Sequence, residues 1–63
     1  MDDDADYVTV LPTTDPHKFL TCVMVYVKKE DAYVSGRCSG PLTHAAARAL
    51  AQMWAAAKHL EVR

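Results

Sequence analysis

The stretch Phe19-Leu20-Thr21-Cys22-Val23-Met24-Val25-Tyr26-Val27 decides the fold, because eight of its nine residues are apolar. A strand sends alternate side chains to opposite faces of its sheet. An antiparallel strand with one solvated face therefore alternates apolar and polar residues, and this stretch does not. One helix in a chain of 63 residues cannot cover both faces of a sheet. We therefore expect a second apolar face that is left for a partner.

Composition limits the class of protein. Apolar residues make up 51% of the chain and charged residues 24%, which predicts one globular domain. The net charge of −1 argues against a dedicated nucleic-acid binder. The chain has no apolar run long enough to span a membrane, and its acidic start is unlike that of a signal peptide. We therefore expect a cytoplasmic location, with Cys22 and Cys38 as reduced thiols.

The predicted order of elements is β-β-β-α. Residues 1–6 are expected to form a flexible acidic leader, followed by a single domain over residues 7–63. The predicted elements are strands Tyr7–Leu11, Phe19–Lys28 and Ala32–Cys38 and a helix from Leu42 to about Leu60. Ser39, Gly40 or Thr43 can cap the helix. The fold class is thus α+β, a three-stranded antiparallel sheet with one C-terminal helix packed on one face.

The pairing of the second and third predicted strands assigns the faces of the sheet. A turn centred on Glu30-Asp31 pairs Val23 with Cys38 and Met24 with Arg37. This register sends Cys22 and Cys38 to opposite faces, where they cannot form a disulfide. The expected core is Val8, Val10, Phe19, Val23, Val25, Val27, Val34, Leu42, Leu50, Met53 and Leu60. A slip of one residue would exchange the two faces.

The face turned away from the helix carries residue types that are enriched at protein interfaces. It is expected to display Tyr7, Thr9, Leu20, Cys22, Met24, Tyr26, Tyr33, Ser35 and Arg37. The alternative is that these tyrosines are ordinary sheet residues with their hydroxyls in water. Leu20, Cys22 and Met24 in the same row favour a binding surface, centred on Met24, Tyr26, Tyr33 and Arg37.

Trp54 and the acidic leader are two further candidates for partner binding. Trp54 falls at the edge of the expected buried stripe, where it either seals the helix against the sheet or acts as a partly exposed anchor. The carboxylates of the leader are a solvated tail or a ligand for an arginine- or lysine-lined groove. They belong to Asp2, Asp3, Asp4 and Asp6.

Residues with catalytic or metal-binding chemistry do not fall into a recognisable pattern. The chain contains no H-E-x-x-H, P-loop, G-x-G-x-x-G or nucleophile-elbow motif. The spacing of His17, His44, His59, Cys22 and Cys38 is not that of a metal site. We therefore expect a protein that is not an enzyme and that needs no cofactor or metal.

The short length and the acidic segment Asp2-Asp3-Asp4-Ala5-Asp6 resemble the small anti-CRISPR proteins that phages encode. The resemblance implies a non-enzymatic inhibitor in the host bacterial cytoplasm. Such an inhibitor occupies a protein or nucleic-acid-binding surface of a defence complex. Its partner would be a protein, for example a basic, nucleic-acid-binding subunit of the defence complex.

Two other functions remain open at this stage. A three-stranded sheet backed by an alanine-rich helix, with Ser35-Gly36-Arg37 in its last strand, is similar to the sheet readers of integrase arm-binding and plant AP2 domains. That similarity implies DNA binding through basic strands. The other alternative is a structural homodimer, built by packing two copies of the uncovered sheet face together.

Overall fold

The computed structural model describes residues 5–63 and shows one helix against a four-stranded mixed sheet. In chain order the elements are β1 (Tyr7–Pro12), β2 (Phe19–Val27), β3 (Ala32–Cys38), α1 (His44–Lys58) and β4 (Glu61–Val62). The strand order is β3-β2-β1-β4, and β4 is parallel to β1 whereas the other pairs are antiparallel. The predicted three antiparallel strands and C-terminal helix are confirmed. The parallel strand β4 was not predicted.

The connection between β1 and β2 is a turn held by its own side chains. The hydroxyl of Thr13 accepts the Asp15 N–H at 3.1 Å and lies 3.0 Å from the Lys18 carbonyl oxygen. The Asp15 carboxylate accepts the His17 N–H at 2.9 Å. These bonds satisfy backbone groups that the strands do not pair. The resulting register sets Val8 opposite Val23.

The register of β2 and β3 corrects the predicted one. Val25 pairs with Val34 and Tyr26 with Tyr33, a shift of two residues that leaves each of these side chains on its predicted face. Between the Met24 and Cys22 pairs, however, β3 contains one extra residue, which is a β-bulge. A bulge exchanges the faces of the residues beyond it. Arg37 therefore lies on the helix side of the sheet, not on the outer side as predicted.

The same bulge brings Cys22 and Cys38 directly opposite each other, and the two residues form a disulfide. The prediction of reduced thiols on opposite faces is wrong. Its error came from counting β3 as a regular strand, which displaced Cys38 by one position. Because disulfides persist mainly in oxidising compartments, the cysteines no longer support the expectation of a cytoplasmic location.

Helix α1 is capped at both ends. The Thr43 hydroxyl, one of the three predicted caps, accepts the Ala46 N–H at 3.3 Å. His59 ends the helix in the left-handed conformation, with φ of 56°. The chain then turns back so that Glu61 and Val62 pair with the start of β1. Because β4 begins so soon after the cap and pairs with β1, the C-terminal end of α1 is held beside the β1 side of the sheet.

The helix turns its alanines toward the sheet, which corrects the predicted core. Ala47, Ala51 and Ala55 are buried, and Ala51 and Ala55 pack in one cluster with Val8 and Val23. A smooth alanine surface lets the helix axis approach the valine side chains closely. The packing energy gained by this approach outweighs the larger apolar area that leucine and methionine would bury. Met53, which was predicted to lie in the core, faces outward instead.

Two members of the predicted core are therefore exposed. Met53 is 66% exposed, and Val34 is 41% exposed because α1 packs mainly on β1, β2 and β4 rather than on β3. Val10, Val25, Trp54, Leu60 and Val62 pack around the buried cluster. The buried hydroxyl of Thr21 donates to the Ala47 carbonyl at 2.6 Å and so fixes the helix over β2. This anchoring leaves the opposite face of the sheet without a covering element among the described residues.

Candidate functional site

The uncovered side of the sheet forms a surface of tyrosines that we call the tyrosine face, made of Tyr7, Met24, Tyr26, Tyr33 and Arg63. Tyr7 and Met24 are paired on β1 and β2, and Tyr26 and Tyr33 are paired on β2 and β3. Alternation along each strand therefore points these side chains away from α1. All four are partly exposed. The tyrosine face thus extends across three neighbouring strands.

The tyrosine rings contact one another in a continuous row. The centroids of Tyr7 and Tyr33 lie 5.0 Å apart and those of Tyr33 and Tyr26 lie 5.3 Å apart, both in edge-to-face geometry. The Tyr33 hydroxyl donates to the Ala5 carbonyl at 3.3 Å, and the Tyr26 hydroxyl donates to the Asp31 carboxylate. These contacts hold the rings in fixed positions, which lowers the entropy lost when they bind a partner.

Arg63 extends the row beyond β1. Its guanidinium carbon lies 4.6 Å from the centroid of the Tyr7 ring, a cation–π distance. Its Nε is 3.2 Å from a carboxylate oxygen of Glu61. The hydrogen bond to Glu61 raises the pKa of Arg63 above its ordinary value, and the Tyr33 hydroxyl adds to this effect. A guanidinium stacked on a tyrosine beside a carboxylate is therefore already present on this face.

Carboxylates outnumber cations around the tyrosines. The Asp6 carboxylate accepts the Tyr26 N–H at 2.9 Å, Asp31 accepts the Tyr26 hydroxyl, and Glu61 pairs with Arg63. Among residues 5–63, three carboxylates and one guanidinium are thus seen to contact or border the tyrosine face. In contrast, helix α1 on the far side contains no acidic residue. The domain is therefore polarised, with an acidic sheet face and a basic helix side.

The predicted binding residues separate into two groups. Met24, Tyr26, Tyr33 and Asp6 lie together on or beside the tyrosine face. Arg37 and Trp54 lie on the helix side, where the Arg37 guanidinium carbon is 4.4 Å from the centroid of the indole ring. The helix-side position of Arg37 removes it from the predicted surface, and the bulge in β3 is the physical reason. Asp2, Asp3 and Asp4 lie outside the described residues.

Sequence reasoning missed Arg63 and Glu61. The signal that could have found them is the alternation Glu61-Val62-Arg63 directly after the helix, which is the pattern of a short strand with one buried residue. Once Val62 pairs beside Val8, its two neighbours must point toward the tyrosine face.

Residues 5–63 contain neither a cluster of metal ligands nor a helix that could span a membrane. No three histidine, cysteine, aspartate or glutamate side chains in this range come together as a metal site would require. Nor does this part of the chain contain a helix with the length and apolar character needed to cross a membrane. Comparison with protein-family models, characterised proteins and solved structures finds no match for the chain.

Proposed function

We propose that the protein is a non-enzymatic binding module whose tyrosine face holds a basic segment of another protein. The observation that carries the proposal is the row of three tyrosine rings bordered by Asp6, Asp31 and Glu61. Tyrosine is among the residues that most often dominate binding energy at protein interfaces. The surrounding carboxylates select a partner of positive charge.

Arginine is the side chain that fits this surface best. A guanidinium can stack on an aromatic ring and bond a carboxylate at the same time, whereas a lysine ammonium does so less well. Arg63 already makes both contacts, with Tyr7 and Glu61. The Tyr26 ring and the adjacent Asp31 offer the same pair of groups on the other side of Tyr33.

A narrower form of the proposal concerns the biological role. Basic protein surfaces that bind nucleic acid are rich in arginine and lysine. A domain that covers such a surface in a bacterial CRISPR-type defence complex would act as an inhibitor, in the manner of small phage-encoded proteins. An inhibitor of that kind works in the reducing bacterial cytoplasm. The disulfide between Cys22 and Cys38 therefore argues against this narrower form, but it does not argue against the binding of a basic segment.

The two alternative functions have less support. Direct DNA binding needs cations on the sheet face, but the guanidinium of Arg63 is paired with Glu61, and Arg37 lies on the helix side. A homodimer that packs two tyrosine faces together would bring their carboxylates into proximity. Like charges opposed in this way weaken association.

The test is a titration of the isotope-labelled protein with an arginine-rich peptide, followed by NMR. We expect the resonances of Tyr7, Met24, Tyr26 and Tyr33 to shift, and we expect the affinity to fall as salt is added. A glutamate-rich peptide of equal length is the control and should not bind. Shifts confined to α1, or equal binding of the glutamate-rich peptide, would refute the proposal. Sedimentation at several protein concentrations detects the homodimer as an increase in mass.

A further inference from the structure

A pocket of about 280 Å³ lies on the helix side of the domain, between the first half of α1 and the edge formed by β1 and β4. Its lining residues are Val10, Phe19, His44, Arg48, Gln52, Val62 and Arg63. We propose that this pocket binds a small organic anion, a carboxylate attached to a compact apolar body. The pocket shares Arg63 with the tyrosine face, but none of the tyrosines and not Met24 lines it.

The polar wall of the pocket comes from one face of α1. His44, Arg48 and Gln52 follow each other at intervals of four residues, so that their side chains lie above one another on the same helix face. The imidazole of His44 also contacts the Phe19 ring, with centroids 4.8 Å apart. That contact holds the N-terminal end of this polar wall, at the start of α1, against the first residue of β2.

The electrostatics of this wall favour an anion. Arg48 carries the charge, and no acidic residue of α1 offsets it. Among the described residues, no side chain bonds or pairs with that of Arg48 or Gln52. The guanidinium of Arg63 is engaged with Tyr7 and Glu61 instead. Arg63 therefore lines the pocket, but Glu61 offsets its positive charge. An unpartnered arginine beside an amide donor is suited to a carboxylate, which it can bind with two hydrogen bonds.

The apolar part of the pocket lining indicates the size of the apolar body that the ligand carries beside its carboxylate. Val10, Phe19 and Val62 are apolar, and each is partly exposed. The volume of this pocket is just below the range typical of small-molecule sites, roughly 300–1,000 Å³. It therefore suits a body of the size of one aromatic ring or a short branched chain.

The experiment titrates the isotope-labelled full chain with benzoate, with the neutral isostere benzamide and with inorganic phosphate. We expect benzoate to bind in the millimolar range and to shift the resonances of His44, Gln52, Phe19 and Val62. Benzamide should bind about tenfold more weakly because it lacks the charge that Arg48 meets. Phosphate should bind more weakly than benzoate because it leaves the apolar wall uncovered.

Two variants complete the test. Arg48→Gln should weaken benzoate binding by about tenfold. Lys58→Gln, which removes a cation from the same helix outside the pocket, should leave benzoate binding unchanged. Saturable binding that is equal for benzoate and benzamide, or unaffected by Arg48→Gln, would overturn the proposal, as would no saturable binding of benzoate. Since neither variant changes a residue of the tyrosine face and no tyrosine lines the pocket, failure of this test leaves the arginine-peptide titration unaffected.

Discussion

Cys22 and Cys38 face each other across β2 and β3 with their Cα atoms 4.1 Å apart, and their sulfur atoms are bonded. This cross-link lies on the same side of the sheet as the tyrosine face. It also fixes the register on the far side of the bulge, where backbone pairing is interrupted. The disulfide therefore ties the exposed edge strand β3 to the centre of the sheet.

We expect removal of the disulfide to destabilise the domain. The bond closes a loop of sequence separation 16, for which chain entropy predicts a loss of about 3 kcal/mol on removal. The measurement is urea unfolding of the unmodified protein and of the Cys22→Ala/Cys38→Ala variant. Alkylation without reductant, followed by mass measurement, is the control. Two alkylated cysteines in the unmodified, folded protein would contradict the disulfide.

The orientation of α1 is tested by enlarging one alanine on each side of the helix. Ala51 is fully buried against the sheet, so Ala51→Leu should overpack the core and cost about 2 kcal/mol of unfolding free energy. Ala49 is exposed, and Ala49→Leu should change that free energy by less than about 0.5 kcal/mol. If Ala49→Leu is the more destabilising variant, the helix packs through its other face.

The stacking of Arg37 on Trp54 has an optical consequence. Trp54 is the one tryptophan of the chain, so its fluorescence reports this contact directly. Arg37→Ala should shift the emission to longer wavelength, because water replaces the guanidinium over the indole, and should cost about 1 kcal/mol of stability. The matched control Arg48→Ala should leave the emission unchanged. Identical spectra for the unmodified protein and Arg37→Ala would show that the bulge does not turn Arg37 toward the helix.

Alternation in the strands was enough to predict most of the tyrosine face. Met24, Tyr26 and Tyr33 were assigned correctly to the outer side, because an error of two residues in register preserves the face of each side chain. The bulge could not be predicted in the same way. Gly36 was its one signal, because a glycine inside a strand often marks a bulge; a Cβ there would lie 3.0 Å from Val25 Cγ2 and would require that side chain to move by a few tenths of an ångström.

The helix shows where periodicity is ambiguous. Eight alanines lie between Leu42 and Leu60, so two different stripes of α1 are apolar. The three-and-four spacing of apolar residues favours the stripe with Leu50 and Met53, whereas the structure buries the stripe centred on Ala51. The choice depends on how closely helix and sheet approach, which is a property of the packed molecule and not of the helix alone.

The central claim is that the tyrosine face binds a basic partner, and its most direct test is the affinity of a double variant for the arginine-rich peptide. Tyr26→Ser/Tyr33→Ser removes two of the three rings, and Met53→Ser removes an exposed apolar side chain from the opposite side of the domain as the matched control. Thermal unfolding of both variants verifies that each is folded.

We expect the double tyrosine variant to bind the peptide more weakly by about 2 kcal/mol, roughly 30-fold, and Met53→Ser to bind it like the unmodified protein. Equal affinity of the folded double variant and the unmodified protein would contradict the claim.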